Sequence, residues 1–270
     1  AELSIKAFSA RTDETRRSVK SEYPDATVYD DYRQMLDDPE IEAVTVLTPI
    51  RINAQVTLNA LEAGKHVLVE KPFCVSSKDG RRIIAKSRET GNRVFVLEQF
   101  AYDSNFHKAR EIMRSGSLGK FVHATCLSHS PIGPEFDDGS GYGTSRWRMN
   151  GEFPLGMLFD GGIHYLAAFN LLFGSPKLVS ASGQKCRPEF GEYDHIVLQL
   201  EYKDGASLVF SHSSFLGPRK RTFDIALTGG RIEIGEVVTA RNRKGNELER
   251  CRPSRCADDQ MWNAAVGYLR

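Results

Sequence analysis

The feature that most constrains the fold is the segment formed by residues 64–73, Gly-Lys-His-Val-Leu-Val-Glu-Lys-Pro-Phe. Its apolar stretch, residues 66–69, predicts a short buried strand, and Pro72 ends that strand because proline cannot continue a hydrogen-bonded ladder. Glu70 and Lys71 are therefore expected at the carboxyl end of the strand, the side on which open α/β sheets bind ligands. Lys71 is a candidate for acid–base or electrostatic work, with a surface ion pair as the alternative.

The first half of the chain alternates predicted strands and helices. Strands are predicted over residues 3–9, 43–47, 66–69 and 93–97. Helices are predicted over residues 12–22, 31–36, 53–63 and 77–90. This rhythm indicates a Rossmann-type doubly wound parallel sheet. The Gly-x-Gly-x-x-Gly motif that opens a dinucleotide fold is absent, so we expect the chain to start at the second strand, without the first βα unit.

The second half changes to the two-residue period of strands. Strands are predicted over residues 120–129, 194–202, 206–213 and 223–228, with hairpin turns at Asp204-Gly205 and Gly229-Gly230. One helix is predicted, over residues 156–173. The chain is thus predicted to be α/β, with a dinucleotide-binding domain (residues 1–98) followed by an α/β domain built on a large, mostly antiparallel open sheet (residues 99–270). A single helical layer leaves one sheet face uncovered, which favours a homodimer or homotetramer through that face over simple exposure to water.

Composition excludes several classes of function. The 36 Lys and Arg residues nearly balance the 35 Asp and Glu residues, so no nucleic-acid or acidic-membrane partner is expected. No apolar run has the length of a membrane span, and no leader segment is expected. The five cysteines are scattered without a zinc spacing, which indicates no metal site and a reducing, cytoplasmic compartment.

A second candidate constellation is the run Asp160-Gly161-Gly162-Ile163-His164-Tyr165 near the start of the predicted helix. Asp160 and His164 are four residues apart and would share one face of an α-helix. Histidine suits proton transfer near neutral pH. Alone, His164 is better interpreted as a core histidine, but its pairing with the Glu-Lys-Pro segment favours a catalytic role.

These motifs together resemble the Gfo/Idh/MocA family of nicotinamide-dependent oxidoreductases. The resemblance runs from residue 3 to about residue 235. Its strongest part is residues 63–72, Ala-Gly-Lys-His-Val-Leu-Val-Glu-Lys-Pro, followed by the run Asp160-Gly161-Gly162-Ile163-His164. Asn53 departs from the family pattern, which often has a histidine there, and the C-terminus stops short of the usual length.

The resemblance implies three catalytic roles. Lys71 would contact the nicotinamide ribose and the reacting hydroxyl. His164 would exchange the proton. Asp160 would orient His164 or hold a substrate hydroxyl.

The resemblance also implies binding roles. Residues that would line the cofactor are Thr48, Pro49, Glu70, Lys71 and Gln99. Residues that would face the substrate are Arg148, Asp160 and Tyr165. A surface ion pair, a helix-capping carboxylate and core packing are their respective alternatives.

The loop after the first predicted strand bears on cofactor choice. NAD-binding folds place an Asp or Glu there to accept from the ribose hydroxyls, but here the stretch after the strand, Phe8-Ser9-Ala10-Arg11-Thr12, has no carboxylate until Asp13. Ser9 and Arg11 offer a hydroxyl and a guanidinium suited to a 2′-phosphate. NADP is therefore favoured, with NAD possible; a solvated Arg11 is the alternative.

Three functions are compatible with the sequence. The first is an NAD(P)-dependent oxidoreductase acting on a secondary alcohol or ketone of a sugar, an inositol or a sugar derivative. The second is a non-enzymatic nucleotide sensor on the same fold. The third is a redox-neutral glycosidase or lyase with a bound nicotinamide cofactor. Retention of both Lys71 and His164 favours the first, because a sensor has no need of a proton relay.

Overall fold

The computed structural model describes residues 4–136, 156, 158–188, 192–252 and 257–269. They form two compact units, the first reaching Leu97 and including the segment from Trp262, the second running from Glu98 to Met261. The C-terminal segment thus groups with the first unit, whereas the predicted second domain extended to residue 270. Its contacts give the reason: the Arg93 guanidinium donates to the Tyr268 carbonyl, and the rings of Phe95 and Tyr268 lie 5.8 Å apart.

The described part of the first unit has short parallel strands separated by helices. The strands are β1 (Ala7–Ser9), β2 (Thr27–Tyr29), β3 (Ala43–Val46), β4 (His66–Glu70) and β5 (Val94–Leu97). The helices are α1 (Asp13–Glu22), α2 (Tyr32–Leu36), α3 (Ile50–Glu62) and α4 (Ser77–Thr90).

The parallel strands form two sheets, β1-β2 and β3-β4-β5. In the doubly wound order 3-2-1-4-5-6 the opening strand lies in the middle of the sheet. The pairings β1-β2 and β3-β4-β5 match the two sides of that order, with strands 2 and 3 on one side of the middle strand and strands 4, 5 and 6 on the other. The central strand of the larger sheet, β4, has Val67 and Val69 fully buried, and its carboxyl end delivers Glu70.

The second unit is built on an eight-stranded sheet. Its strands are β6 (Phe121–His129), β7 (Leu178–Gln184), β8 (His195–Glu201), β9 (Ser207–Ser213), β10 (Lys220–Leu227), β11 (Gly230–Ile234), β12 (Val238–Asn242) and β13 (Glu247–Cys251). Their order is β13-β12-β11-β10-β6-β9-β8-β7, antiparallel throughout except for the β6–β9 pair. The predicted mostly antiparallel sheet is confirmed, and both predicted hairpin turns join neighbouring strands.

Helices cover one face of this sheet. They are α5 (Ser104–Ser115) and α6 (Ile163–Phe173), which a π-helical turn (Leu158–Gly162) precedes. The sequence pattern predicted only the second of these. Phe169 of α6 packs against Phe210 and Phe223 of the sheet, in a core that also takes in the apolar face of α5. The last described helix is α7 (Ala257–Leu269), whose residues from Trp262 onward belong to the first unit.

No helix in the described ranges combines the length and the apolar character needed to cross a bilayer.

Candidate active site

In the first unit, Asn53 organises the carboxyl ends of two neighbouring strands. Its side chain is fully buried. The Asn53 Oδ1 accepts from the Thr48 hydroxyl at 2.7 Å, and its Nδ2 donates to the carbonyls of Pro72 (3.1 Å) and Glu70 (3.3 Å). One amide therefore ties the loop after β3 to the Glu-Lys-Pro segment after β4, and it donates to two backbone carbonyls of that segment.

Lys71 lies in the segment that Asn53 fixes. The Pro72 that follows it is buried, while Glu70 and Lys71 are both half-buried; the Lys71–Pro72 peptide bond is cis. On the neighbouring loop Thr48 is half-buried, and the side chain of Leu47 is 70% exposed. The predicted residues Thr48, Glu70 and Lys71 thus lie on adjacent strand ends, next to an apolar side chain available for contact.

The β1–α1 loop is held from within. The Thr12 hydroxyl caps α1 by accepting from the Thr15 amide. The Arg16 guanidinium donates to the carbonyls of Ala10 (2.7 Å) and Arg11 (2.9 Å). The Arg11 side chain is exposed. Within the described ranges no hydrogen bond or ion pair engages its guanidinium, so the loop presents Arg11 to solvent while Arg16 fixes its backbone.

In the second unit, His164 is bound to a carboxylate that the sequence interpretation did not single out. Its Nδ1 lies 2.7 Å from the Glu98 Oε1, and the two side chains are only 14% and 11% exposed. The same oxygen accepts from the Phe100 amide at 3.0 Å, capping a short 3₁₀ helix (Gln99–Tyr102). The Phe100 ring stacks on the imidazole, with centroids 4.9 Å apart and planes at 27°. The predicted cofactor residue Gln99 is half-buried in that helix.

Asp160 lies in the π-helical turn before α6 and is 2% exposed. The expectation that Asp160 and His164 share a face assumed a regular α-helix. A π turn closes i→i+5 hydrogen bonds, so the four-residue spacing no longer sets one residue above the other. Gly162 allows this turn to pack tightly, because a Cβ at that position would clash with Leu158 and approach the ring of His212.

Tyr165 belongs to the core of the second unit. It is 8% exposed, and its ring contacts those of Phe100 and Phe210, each with centroids 5.3 Å apart. Burial raises the pKa of Tyr165, and a hydrogen bond to Ser128 partly offsets that effect. The phenol is therefore neutral near pH 7. This position agrees with the alternative given in the sequence analysis, in which Tyr165 is a core-packing residue. The other predicted substrate residue, Arg148, lies outside the described residues.

No cluster of three or more His, Cys, Asp or Glu side chains suited to a metal ion occurs within the described ranges. The four cysteines for which placement is described, namely Cys74, Cys126, Cys186 and Cys251, are free thiols. The titratable side chains at the two constellations are the amine of Lys71, the imidazole of His164 and the carboxylates of Glu70, Glu98 and Asp160.

Comparison with known protein families matches both halves of the chain. Residues 2–98 match the oxidoreductase family with an NAD-binding Rossmann fold, and residues 106–233 match the Gfo/Idh/MocA C-terminal domain.

Individual relatives agree with these matches. The chain is 29% identical over 263 residues to scyllo-inositol 2-dehydrogenase (NADP(+)) IolW of Bacillus subtilis, covering 97% of this chain and 67% of that protein. It is 30% identical to the uncharacterized oxidoreductase YdgJ of Escherichia coli, over 71% of this chain and 53% of the relative. The chain thus spans about half to two thirds of the length of these curated relatives.

Solved structures share the fold over nearly the whole chain. An oxidoreductase from Thermotoga maritima superposes with a TM-score of 0.89 at 24% identity, covering 98% of this chain and 79% of that one. Levoglucosan dehydrogenase in complex with NADH and levoglucosan gives a TM-score of 0.84 at 17% identity, with the same coverage. Since the two family matches account for both halves in the expected order, this chain belongs to the Gfo/Idh/MocA family of oxidoreductases.

Proposed function

We propose that this protein is an NADP-preferring oxidoreductase that interconverts a secondary alcohol and a ketone on a sugar, an inositol or a sugar derivative. The proposal rests on the environment of His164. Its imidazole is nearly buried, is bonded at one nitrogen to a carboxylate and stacks on an aromatic ring. A protein that only sensed a nucleotide would not need a proton acceptor held in this way. The NADP-dependent inositol dehydrogenase among its relatives supports the same substrate class.

The described residues fit the two ends of a nicotinamide cofactor. The strand ends of the first unit offer hydroxyls (Ser9, Thr48), cations (Arg11, Lys71) and the exposed Leu47. Hydroxyls and cations suit ribose and phosphate oxygens, and an apolar side chain suits the face of a planar ring. With no Gly-x-Gly-x-x-Gly in the sequence, we assign no pyrophosphate contacts. We propose that residues 1–98 supply the cofactor half and residues 99–270 the substrate half, with Pro49, Glu70 and Gln99 lining the cofactor.

The proposed mechanism divides proton handling and charge stabilisation between two side chains. A nicotinamide cofactor held by the residues named above would supply the hydride chemistry. In the oxidative direction, neutral His164 accepts the hydroxyl proton, and the ammonium group of Lys71 stabilises the negative charge that develops on the substrate oxygen. Asp160 holds a neighbouring substrate hydroxyl. A positioned acid or base of this kind contributes about 10²–10⁴-fold to the rate.

The test is a substrate panel with the intact protein and NADP or NAD, monitored by absorbance of the reduced nicotinamide. Net reduction with a sugar or inositol is the expected result. Turnover of a glycoside without net reduction would assign the protein to the hydride-recycling class. Cofactor binding with no turnover of any panel member would favour the sensor.

Cofactor preference should depend on Arg11. Its exposed guanidinium, on a loop fixed by Arg16, is expected to pair with the 2′-phosphate, while Ser9 donates to it. A hydrogen bond to a charged group contributes about 1.5–3 kcal/mol. The intact protein should therefore bind NADP about 10–100-fold more tightly than NAD, and Arg11→Ala should remove most of that difference while barely changing NAD affinity.

Isothermal titration with both cofactors measures this preference. The matched control is Arg17→Ala, which removes an exposed arginine from α1 and should leave the ratio unchanged. Equal affinities in the unmodified protein, or the same ratio in both variants, would contradict the role of Arg11.

We further propose that the uncovered sheet face meets a second copy of the chain. The apolar Val209 lies half-buried on this face, at the centre of the sheet. The face carries charges of both signs, and some of them pair within the sheet, as Asp224 does with Arg231 at 3.2 Å. Burial, with His195 and Lys220 nearby, lowers the pKa of His129, so this imidazole is neutral at pH 7. An identical face could therefore approach without net charge repulsion.

Light scattering after gel filtration tests this assembly. The unmodified protein is expected as a dimer or tetramer, and Val209→Arg as a monomer because it places an unpaired charge in the contact. Val179→Arg, at an exposed edge-strand position on the opposite face, is the control and should not dissociate the assembly. A monomeric unmodified protein would refute the proposal.

The free thiols support a reducing, cytoplasmic compartment as part of the same proposal.

A further inference from the structure

The Glu98–His164 contact is built from elements far apart in sequence. Glu98 directly follows β5, and His164 lies in the first turn of α6. The Glu98 carboxylate is fixed independently of the histidine, because its Oε1 also accepts from the Phe100 amide at 3.0 Å. The hydrogen bond from the Phe100 amide therefore holds the Glu98 carboxylate in place, and the imidazole of His164 bonds to a carboxylate that is already fixed.

This contact selects one tautomer of His164. An ionised carboxylate only accepts hydrogen bonds, so the Nδ1 at 2.7 Å from Oε1 must carry the proton. In the neutral ring Nε2 is then the unprotonated nitrogen. Stacking on Phe100 restrains the ring plane. Position, plane and tautomer of His164 are thus set before a substrate arrives.

We propose that Glu98 is the positioning residue for the proton transfer, which rests on the function proposed above. The substrate O–H bond breaks, its proton goes to Nε2 of His164, and Nδ1–H stays bonded to Glu98. The carboxylate then stabilises the imidazolium that forms, as the buried aspartate does in a Ser-His-Asp triad. Because Glu98 occupies Nδ1, the role of orienting His164 falls to Glu98 and not to Asp160.

The second oxygen of Glu98 supports a functional role over a purely structural one. Oε2 is buried and has no hydrogen-bond partner among the residues that the structure describes. Leaving a buried acceptor unsatisfied is destabilising, and more so for a charged group. A glutamine would cap the 3₁₀ helix equally well without burying a charge. The carboxylate is therefore better explained by the cation that forms beside it than by stability.

The first measurement is the tautomer itself. Long-range ¹H–¹⁵N NMR of the intact protein, with the His164 signals assigned by their loss in His164→Asn, should show Nδ1 protonated and Nε2 unprotonated. In Glu98→Gln, whose amide can donate or accept, the Nε2-protonated tautomer should become populated. Nε2–H in the unmodified protein, or an unchanged tautomer ratio in Glu98→Gln, would overturn the proposal whether or not a substrate is known.

The second measurement is steady-state kinetics with a substrate from the panel above. Glu98→Gln should lower kcat about 10–100-fold, the loss typical when a group that orients a metal-bound histidine is removed. KM and cofactor affinity should change little. Glu98→Asp, which keeps the charge, should recover part of the loss; Glu111→Gln, an exposed glutamate on α5, should match the unmodified enzyme.

The two measurements separate the possible failures. An unchanged kcat in Glu98→Gln, or a loss shared by KM and kcat alike, would contradict a positioning role. If no panel member turns over, the proposed function fails while the NMR experiment still tests the Glu98 contact. Should Glu98→Gln not fold, Glu98→Asp carries both measurements, with a mixed tautomer and a reduced kcat expected.

Discussion

Lys71→Ala and His164→Ala are each expected to lower turnover by about 10²–10³-fold or more. For Lys71 the reason, under the mechanism proposed above, is loss of a cation next to the developing alkoxide, in a segment whose carbonyls Asn53 fixes. For His164 it is loss of the proton acceptor itself. Single-turnover kinetics at saturating cofactor and substrate measures both effects.

Lys78→Ala is the matched control, because it removes an exposed lysine from the first turn of α4 in the same unit. It should retain normal turnover. Circular dichroism and cofactor titration would establish that the fold of each variant is intact. If either Lys71→Ala or His164→Ala kept near-normal turnover with the true substrate, the proposed pair would be wrong.

The largest expected loss of stability comes from Asp194, which lies just before β8. Its side chain is fully buried and accepts from the amides of Cys186 (2.7 Å) and Arg187 (3.0 Å) and from the Arg187 Nε (3.2 Å). The Arg187 guanidinium in turn donates to the carbonyls of Ile132 and Ser214. Removing one partner of a buried ion pair costs about 3–5 kcal/mol, because the other charge stays buried.

Asp194→Asn should therefore lower the free energy of unfolding of the second unit by that amount, and its Tm by on the order of 10 °C. Glu89→Gln is the control, since it breaks the exposed contact with Lys86 at 2.9 Å and should change stability by about 0.5 kcal/mol or less. Differential scanning calorimetry compares the two variants. Equal, small shifts would show that the buried pair contributes no more than a surface one.

Most helices of the first unit could be predicted from the sequence, because capping residues mark where they begin and end. Residues 77–90 were predicted as a helix, and α4 has those bounds, with the Ser76 hydroxyl accepting from the Asp79 amide and Gly91 left-handed at φ 73°. Helix α3 begins at Ile50, three residues before its predicted start, because Pro49 can precede a first turn without losing a hydrogen bond.

The elements that were not predicted differ in how much signal they carry. Helix α5 had one: Asp103 caps it, Gly116 ends it, and Phe106, Ala109 and Ile112 recur at helical spacing on its buried face. Strand β7 had none, because all seven of its residues are exposed and no period distinguishes its two faces. The edge strand β13 is similarly dominated by charged residues.

The site residues show the same division. Lys71 and His164 were found because each lies in a recognisable motif. Asn53 was seen only as a departure from a family pattern, and its role depends on carbonyls 17 and 19 residues later in the chain. Glu98 followed an ordinary apolar strand, and its partner is 66 residues away. Contacts of that range arise from tertiary packing, which no local period records.

The π turn at Leu158–Gly162 sets the direction in which the residues before α6 point about the helix axis. That direction is independent of the orientation of α6 itself. A π turn holds one residue more than the α-helical turn it replaces. Deleting one residue there would restore a regular helix and rotate everything upstream by about 100°, while Phe169 kept its place against the sheet. Asp160 would be carried around the axis, and His164 would stay. A single-residue insertion or deletion in this turn would therefore change the angle between Asp160 and His164 about the helix axis, without altering the helix that holds the imidazole.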